Sequence, residues 1–578
     1  MLRGMPTVAP ALPPGPERPA RGLASLWLML LALAGAGCAR RGGCTGDYCG
    51  TVVFVTTPEP DILLPPASQL VVSRDIADQI FLKLADLGMS GNTVGDTDFQ
   101  PQLAERWEWA NPLTLVFHLD PRARWQDGRP VTSADVAFTF DIYTDSLINS
   151  SARSALRRIS AVTTRDSLTV VFRFRARYPE MFYDAVYHMR VLPSHLMGTV
   201  PREQWRSAPF GRAPVGDGPY RFVRWKAGES LELVADSTFF LGRPHIRRLI
   251  WRFTPDLQVA VTQIVAGDAD AIEVLGTPDN ARRARAEPRL VTYPYPGATY
   301  GFLGFNLRAN GDTTEPHPLF GDRALRRALA MAVDREALLR SVFGDLAKVP
   351  PGPMPPQWWI WDSRIRDLPY DTVQAARQLT RLDWQASGGG GGGGGGGDGI
   401  REKGGRQLAF RILVPTTSAI RRQYARLLQQ QFRRIGADVQ LDEVEFSVFN
   451  ERMQAGRFDA VLNSVNADPT PSSSIAQEWT QAGIGLSNFV RYANPAFDRL
   501  AEQASDALQR DAAKRMWRRA FEILNDDAPA IFLFALDNVA AVDRRVRDVV
   551  IRPDSHWALV RLWRIPADQL TERDRAER

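Results

Sequence analysis

An α/β architecture spread over more than one domain is predicted by three features of the sequence. The chain has 578 residues, long enough to bury several cores of ordinary size. Short alternating or β-branched runs recur between helical patterns over residues 51–565. The densest such passage, Leu103 to Phe140, holds a strand, a turn and a helix start in succession.

The N-terminal residues stand apart from that pattern. Arg3, Arg18 and Arg21 flank the apolar run Leu23 to Gly37, which is shorter than the ~20 apolar residues of a membrane span. Residues 1–37 therefore read as a secretory signal peptide, and the chain as exported. Cys38 directly follows Gly35-Ala36-Gly37, which is similar to the lipobox of acylated lipoproteins, with Gly35 in place of the usual leucine. Lipidation at Cys38 and ordinary cleavage after Ala36 are both compatible with these residues. Lipidation makes residues 38–50 a tether and leaves the protein on a membrane surface. Cys44 and Cys49 are candidates for a local disulfide in an oxidising compartment.

The formal charge is +6, and lysine occurs only at Lys83, Lys226, Lys348, Lys403 and Lys514. The arginines are interleaved with acids and aromatics, so no basic stripe for nucleic acid is formed. His118, His188, His195, His245, His317 and His556 lack metal-ligand spacing. No H-E-x-x-H, G-x-S-x-G, phosphate-loop or C-x-x-C pattern is present, which argues against an enzyme.

Along the chain, Thr51 to Val55 is a β-branched strand ending before Pro58. Gln79 to Leu87 reads as a helix. Leu113, Leu115, Phe117 and Leu119 alternate with less apolar neighbours as a half-buried strand. Asp127-Gly128 is a turn pair, and Thr132-Ser133 caps a helix whose first turn carries Asp135. Gly216, Gly218 and Pro219 form a rigid turn before the hairpin built on Tyr220 to Trp225 and Leu231 to Val234.

These two blocks, LAERWEWANPLTLVFHLDPRARWQDGRPVTSADVAFTF and VGDGPYRFVRWKAGESLELVAD, resemble the signature of the family 5 extracellular solute-binding proteins. Asp217 stands where that family usually has threonine. The resemblance implies a two-lobed fold of the periplasmic-binding-protein type II class, with an additional subdomain in the first lobe. Lobe I is then expected over 51–305, its extra subdomain over about 88–213, and lobe II over 306–535. Residues 536–565 return to lobe I, and 566–578 form a charged tail expected to fray.

Further elements fit that frame. A helix is expected from Asp256 to Ala266, ending at Gly267-Asp268-Ala269-Asp270. That acid pair reads as a helix end and not as a metal site. Thr299 to Leu307 is an apolar strand crossing between lobes, and Pro529 to Ala535 crosses back. Helical periodicity runs through Leu325 and Leu329, and Asp334 caps a second helix. The ten glycines Gly388 to Gly397 precede neither Lys-Ser nor Lys-Thr, and are expected to be a flexible, silent insertion. Strands follow at Leu408 to Val414, Asp438 to Leu441 and Phe458 to Leu462, with helices at Ser418 to Ile435 and Val448 to Met453.

What the resemblance implies for function is capture of an oligopeptide or peptide-like solute between the lobes. The loaded protein would be delivered to an ABC permease in the cytoplasmic membrane, from the periplasm or cell surface. No cofactor or nucleotide is implied, and a monomer is expected. A sensory or ligand-presenting lipoprotein with the same cleft is the alternative, with a secreted hydrolase behind it. Peptide-capturing relatives carry an aspartate after the strand matching Phe458 to Leu462, where it pairs with the ligand's ammonium group. Asn466 aligns with that acid, Asp468 lies two residues on, and Asn463 replaces the family's tryptophan. Asn463, Asn466 and Asp468 are accordingly candidate ligand contacts. Thr56 and Thr57, at the end of the first strand, are others, and so are Trp358 and Trp359, whose rings are either a ligand wall or inter-lobe packing.

Overall fold

The computed structural model describes residues 48–310, 314–386, 399–485 and 487–575. The signal segment, Cys38, Cys44 and the glycine run lie outside them. Cys49 is described and its side chain is buried.

The backbone of the molecule is one 11-stranded sheet. Its middle is a pair of long antiparallel strands, Leu290–Phe305 and Ala530–Asp543. One end of this pair lies in the first lobe. There Ala271–Ile272 pairs with Ala541 and Val542, and Thr51–Thr56, Arg248–Phe253, Ser230–Ala235 and Tyr220–Lys226 follow outward. The other end lies in the second lobe, flanked by Ala460–Asn466, Ala409–Pro415 and Asp438–Val444. The ladder between the two long strands is interrupted between Pro296 and Tyr300, which places an irregularity, the natural position for a bend, midway between the lobes.

Both long strands extend well past the apolar runs that mark them in the sequence. Pro294 and Pro296 break the first pattern, yet both sit in the strand. Over residues 290–296 this strand pairs only with Val539 and its neighbours, while Ala460–Asn466 pairs from Thr299 onward. The prolines thus occupy a stretch with one open edge, where a missing N–H costs no ladder bond.

A separate four-stranded antiparallel sheet, Ala104–Asn111, Thr114–Leu119, Thr169–Phe174 and Ile159–Asp166, packs beside the first lobe. Its helix Ser133–Thr144 begins with a reciprocal capping box between Thr132 and Asp135. Phe117, Phe172 and Phe182 join its core to that of the main sheet.

Two expectations fail. The helix expected over Gln79 to Leu87 instead spans Val71–Ile80. Ile80 O accepts from the N–H groups of Asp217 and Gly218, and Leu82 N–H donates to Asp217 Oδ1 at 2.8 Å. Those tertiary bonds take the place of a further helical turn. The charged C-terminal segment is also anchored: Asp574 is buried, accepts from Thr51 N–H at 2.6 Å and pairs with Arg545 at 2.7 Å. Arg545 in turn bonds Asp270 at 3.0 Å and Thr51 O at 2.8 Å. Asp270 therefore serves an ion-pair clasp on the first strand. No helix among the described residues is long and apolar enough to cross a membrane.

Candidate functional site between the lobes

A cleft of about 740 Å³ lies between the lobes. On the first-lobe side it is walled by the helix Val71–Ile80, the segment around Arg157-Arg158 and the helix Met181–Val186. On the second-lobe side the wall comes from the loop after Ala460–Asn466 and from helices Pro471–Trp479 and Pro495–Asp506.

The two walls carry opposite charge. Arg74, Arg157 and Arg158 are exposed on the first, and Asp468, Glu502 and Asp506 are exposed on the second. The side chains of Arg74 and Asp468 form no hydrogen bond or ion pair with a described residue. Asp498, Glu502 and Asp506 recur every fourth residue, so they share one face of their helix. That spacing is visible in the sequence, but nothing in it tells a cleft wall from an ordinary solvated helix face.

Where the lobes meet beside the cleft, Glu180 of the first lobe is buried against the second. The Thr470 hydroxyl donates to Glu180 Oε1, as do Ser472 Oγ at 3.3 Å and Thr93 Oγ1 at 3.4 Å. Burial pushes its carboxyl up to about 7 against the lowering hydrogen bond from Thr470, with nearby Asp184 adding to the rise. No local pattern announces Glu180, because Thr470 is 290 residues away.

The expected ligand contacts scatter over several environments. Asp468 lines the cleft. Asn466 is exposed at the strand end, its Oδ1 at 3.5 Å from Thr299 Oγ1. Trp358 and Trp359 are buried in the second lobe's aromatic core. The indole N–H of Trp358 donates to Asp468 O at 2.5 Å, and that of Trp359 to Thr93 Oγ1 across the lobe boundary at 3.2 Å. The two tryptophans thus support the cleft's loop and seam without forming its wall. Thr56 is buried and donates to Glu273 Oε1 at 3.2 Å, while Thr57 is half-buried.

Asn463 belongs to a second, smaller cavity of about 300 Å³ within the second lobe. Phe302, Phe446, Phe449, Trp479 and Phe489 supply its rings, and Glu478 its carboxyl group. Helix Pro471–Trp479 stands between the two spaces. Glu478 and Trp479 face the small cavity, and Ala476, Gln477 and Thr480 face the cleft.

Comparison with known proteins agrees with this architecture. The family model described as "Bacterial extracellular solute-binding proteins, family 5 Middle" matches residues 98–485. The oligopeptide-binding protein AppA of Bacillus subtilis (strain 168) is 26% identical over 449 residues, spanning 76% of this chain and 78% of AppA. Protein XP55 of Streptomyces lividans is 28% identical over 496 residues, spanning 85% of this chain and 84% of its own. The solved structure of B. subtilis AppA in complex with a nonapeptide superimposes with a TM-score of 0.70 at 23% identity, covering 89% of this chain and 99% of that one. The chain belongs to the family 5 bacterial extracellular solute-binding proteins.

Proposed function

We propose that this protein captures an oligopeptide or a peptide-like zwitterion in the inter-lobe cleft and hands it unchanged to an ABC importer. The observation that carries this reading is the opposition of Arg74, Arg157 and Arg158 to Asp468, Glu502 and Asp506 across one cavity. A free peptide has an ammonium group at one end and a carboxylate at the other, so it complements both walls in a single orientation. The exposed carboxylate of Asp468 takes the ammonium role that Asn466 lacks the charge to fill. Membership of a solute-binding family, and the peptide-binding name of AppA, support the same ligand class.

Capture proceeds by bending at the interrupted ladder between Pro296 and Tyr300. A ligand that touches both walls favours the closed arrangement by its differential affinity for it. The mature protein acts as a monomer, tethered outside the cytoplasmic membrane through Cys38, and performs no chemistry on its ligand.

Thermal unfolding of the protein with defined oligopeptides, with mass analysis of the peptide afterwards, tests this reading. A binder at 100 times its Kd gains about 2.7 kcal/mol by mass action, and the peptide is recovered intact. Cleaved peptide, or no stabilisation by any peptide, overturns it. Cys38→Ala is expected to move the protein from the membrane fraction to the soluble one.

A further inference from the structure

The first-lobe wall of the cleft continues outward into a surface that is almost entirely cationic. Residues 151–177 hold seven arginines and a single acid, Asp166. Arg157 and Arg158 line the cleft itself, as do Ser151 and Ser154 on either side of Arg153. Arg175 N–H donates to Arg158 O at 2.9 Å and Arg175 Nε to Arg157 O at 3.0 Å. These two bonds fasten the end of strand Thr169–Phe174 against the wall. Arg173 and Arg175 flank the buried Phe174 and so leave the opposite, exposed side of the chain.

What holds these guanidinium groups is neutral. Arg153 Nε donates to Thr144 O at 3.0 Å, Arg157 Nε to Ser154 O at 3.4 Å, and Arg173 Nη1 to Thr163 Oγ1 at 3.1 Å. Arg158 lies over the Tyr178 ring, 4.5 Å from its centroid. None of the five forms an ion pair with a described residue. Elsewhere exposed arginines rest on carboxylates, as Arg224 does on Glu232, Arg323 on Asp526 and Arg564 on Asp548. The acids nearest in the chain are already engaged: Asp184 accepts from the Tyr178 hydroxyl at 2.7 Å, and Asp166 from Leu168 N–H at 2.9 Å. Like charges gathered this closely repel one another, and an anion relieves that repulsion. A guanidinium already pinned through Nε or a ring face loses little freedom when its terminal N–H groups take a carboxylate.

We propose that this arginine rim selects solutes carrying extra carboxylates near their C-terminal end, so that acidic peptides are the preferred cargo. The inference rests on the capture reading above and names the substrate class of that cleft. A peptide whose ammonium group meets Asp468 sends its other end toward Arg157 and Arg158. Its one terminal carboxylate occupies one guanidinium fork and leaves the remaining cations for acidic side chains. Acids placed at the other end of the peptide would meet Asp468, Glu502 and Asp506 and be repelled.

The test uses full-length protein and pentapeptides with free termini, with affinities from calorimetry. Ala-Ala-Ala-Glu-Glu is expected to bind about tenfold tighter than Ala-Ala-Ala-Gln-Gln in dilute buffer. Salt at about 1 M, which screens charges beyond about 3 Å, should erase most of that advantage. Glu-Glu-Ala-Ala-Ala should gain nothing over its glutamine counterpart. Arg173→Gln combined with Arg175→Gln is expected to cut the advantage to below about threefold. Arg153→Gln should lower it by about twofold and serves if the double variant does not fold. Arg165→Gln, at the far end of the same hairpin, should leave it intact. No gain from C-terminal acids, an equal gain from acids at either end, or a gain that survives the rim variants makes the rim an ordinary solvated face and overturns the proposal.

A second arm separates this failure from failure of the capture reading. Tetraglutamate and tetraglutamine, acetylated and amidated so that neither terminal charge remains, are titrated in the same way. If no free peptide binds but capped tetraglutamate does, and loses its site in the double variant, the rim stands and zwitterion capture falls. If Ala-Ala-Ala-Gln-Gln binds and the acidic form gains nothing, capture stands and the rim falls. If no peptide binds, capped or free, both fall.

Discussion

Asp78 and Glu180 are both buried carboxylates of the first lobe, and their surroundings drive them in opposite directions. Asp78 lies in the interior, held by Arg190 at 2.7 Å and by the Ser555 hydroxyl at 2.7 Å. Burial alone would raise it, but Arg190 and Lys83 keep its carboxyl well below the usual carboxylate range. Glu180 lies in the seam between lobes and meets hydroxyl groups instead of a guanidinium. On the capture reading, the difference separates parts that stay together from parts that come apart. A buried ion pair leaves a stranded charge when it is pulled open, whereas hydroxyl partners exchange for water at little cost. The same division appears elsewhere: Arg552 holds Asp86 and Asp554, and Arg545 holds Asp270 and Asp574, all within one lobe.

The largest effect should follow from breaking the interior pair. Arg190→Met leaves Asp78 buried without its cation and is expected to cost about 3–5 kcal/mol in a denaturant melt. The double variant Asp78→Leu with Arg190→Met removes both charges and should recover most of that loss. The sign with pH follows from the depressed carboxyl. Its contribution is complete above the ordinary aspartate value and disappears as pH falls toward the lowered one. A single variant as stable as the native protein would mean that Asp78 is not held by charge.

Asp217 offers an intermediate case, buried in the interior with neither a cation nor a hydroxyl. Its Oδ1 accepts from Leu82 N–H, and its Oδ2 has no partner. Burial pushes this carboxyl well above its ordinary value, against the lowering bond from Leu82. An acid raised in the folded state binds its proton more tightly there, so stability falls as pH climbs above the unfolded value near 4. Asp217→Asn keeps the acceptor and is expected to gain about 1–3 kcal/mol at pH 8 and almost nothing at pH 4. Equal gains at both values would place the effect outside ionisation.

The contrast also shows what a linear sequence discloses. Helix starts at Thr132, Asp256 and Asp334 were legible because a cap bonds groups two or three residues away. The lobe-crossing strands were legible only over their apolar halves, because the open edge that tolerates Pro294 and Pro296 is a property of the assembled sheet. The family signature carried the fold, and the loop after Ala460–Asn466 brought Asp468 to the cleft. Trp358 and Trp359 read either as a ligand wall or as inter-lobe packing because aromatic clusters suit both cores and ligands, and burial in the core decides their role. Glu180 stayed hidden because its environment is assembled from three distant segments.

The seam itself gives a pH test. Burial in the seam raises Glu180 to about 7, and on the capture reading a separation of the lobes returns it toward an ordinary solvated glutamate. Closure therefore takes up a proton. It is favoured below pH 7 and weakened as pH rises through that value. Peptide affinity is expected to fall by about tenfold between pH 6 and pH 8, and Glu180→Gln should flatten the profile. A native profile that is already flat would mean Glu180 does not report on closure.

The smallest effect concerns the outer end of the same chain of bonds. The indole N–H of Trp359 donates to Thr93 Oγ1, and that hydroxyl donates onward to Glu180. Trp359→Phe keeps a ring in the core but removes the donor, leaving Thr93 without this second-lobe partner. The loss should be that of one neutral hydrogen bond, about 0.5–1.5 kcal/mol, together with some packing volume. Because the bond crosses the boundary between lobes, part of the loss should appear in closure as well as in global stability. Small-angle scattering of the ligand-bound variant should then show a wider envelope at peptide concentrations that fully close the native protein. A variant that unfolds earlier yet closes normally would assign Trp359 to the second lobe's core alone, and confine the seam to Glu180 and its three hydroxyl donors.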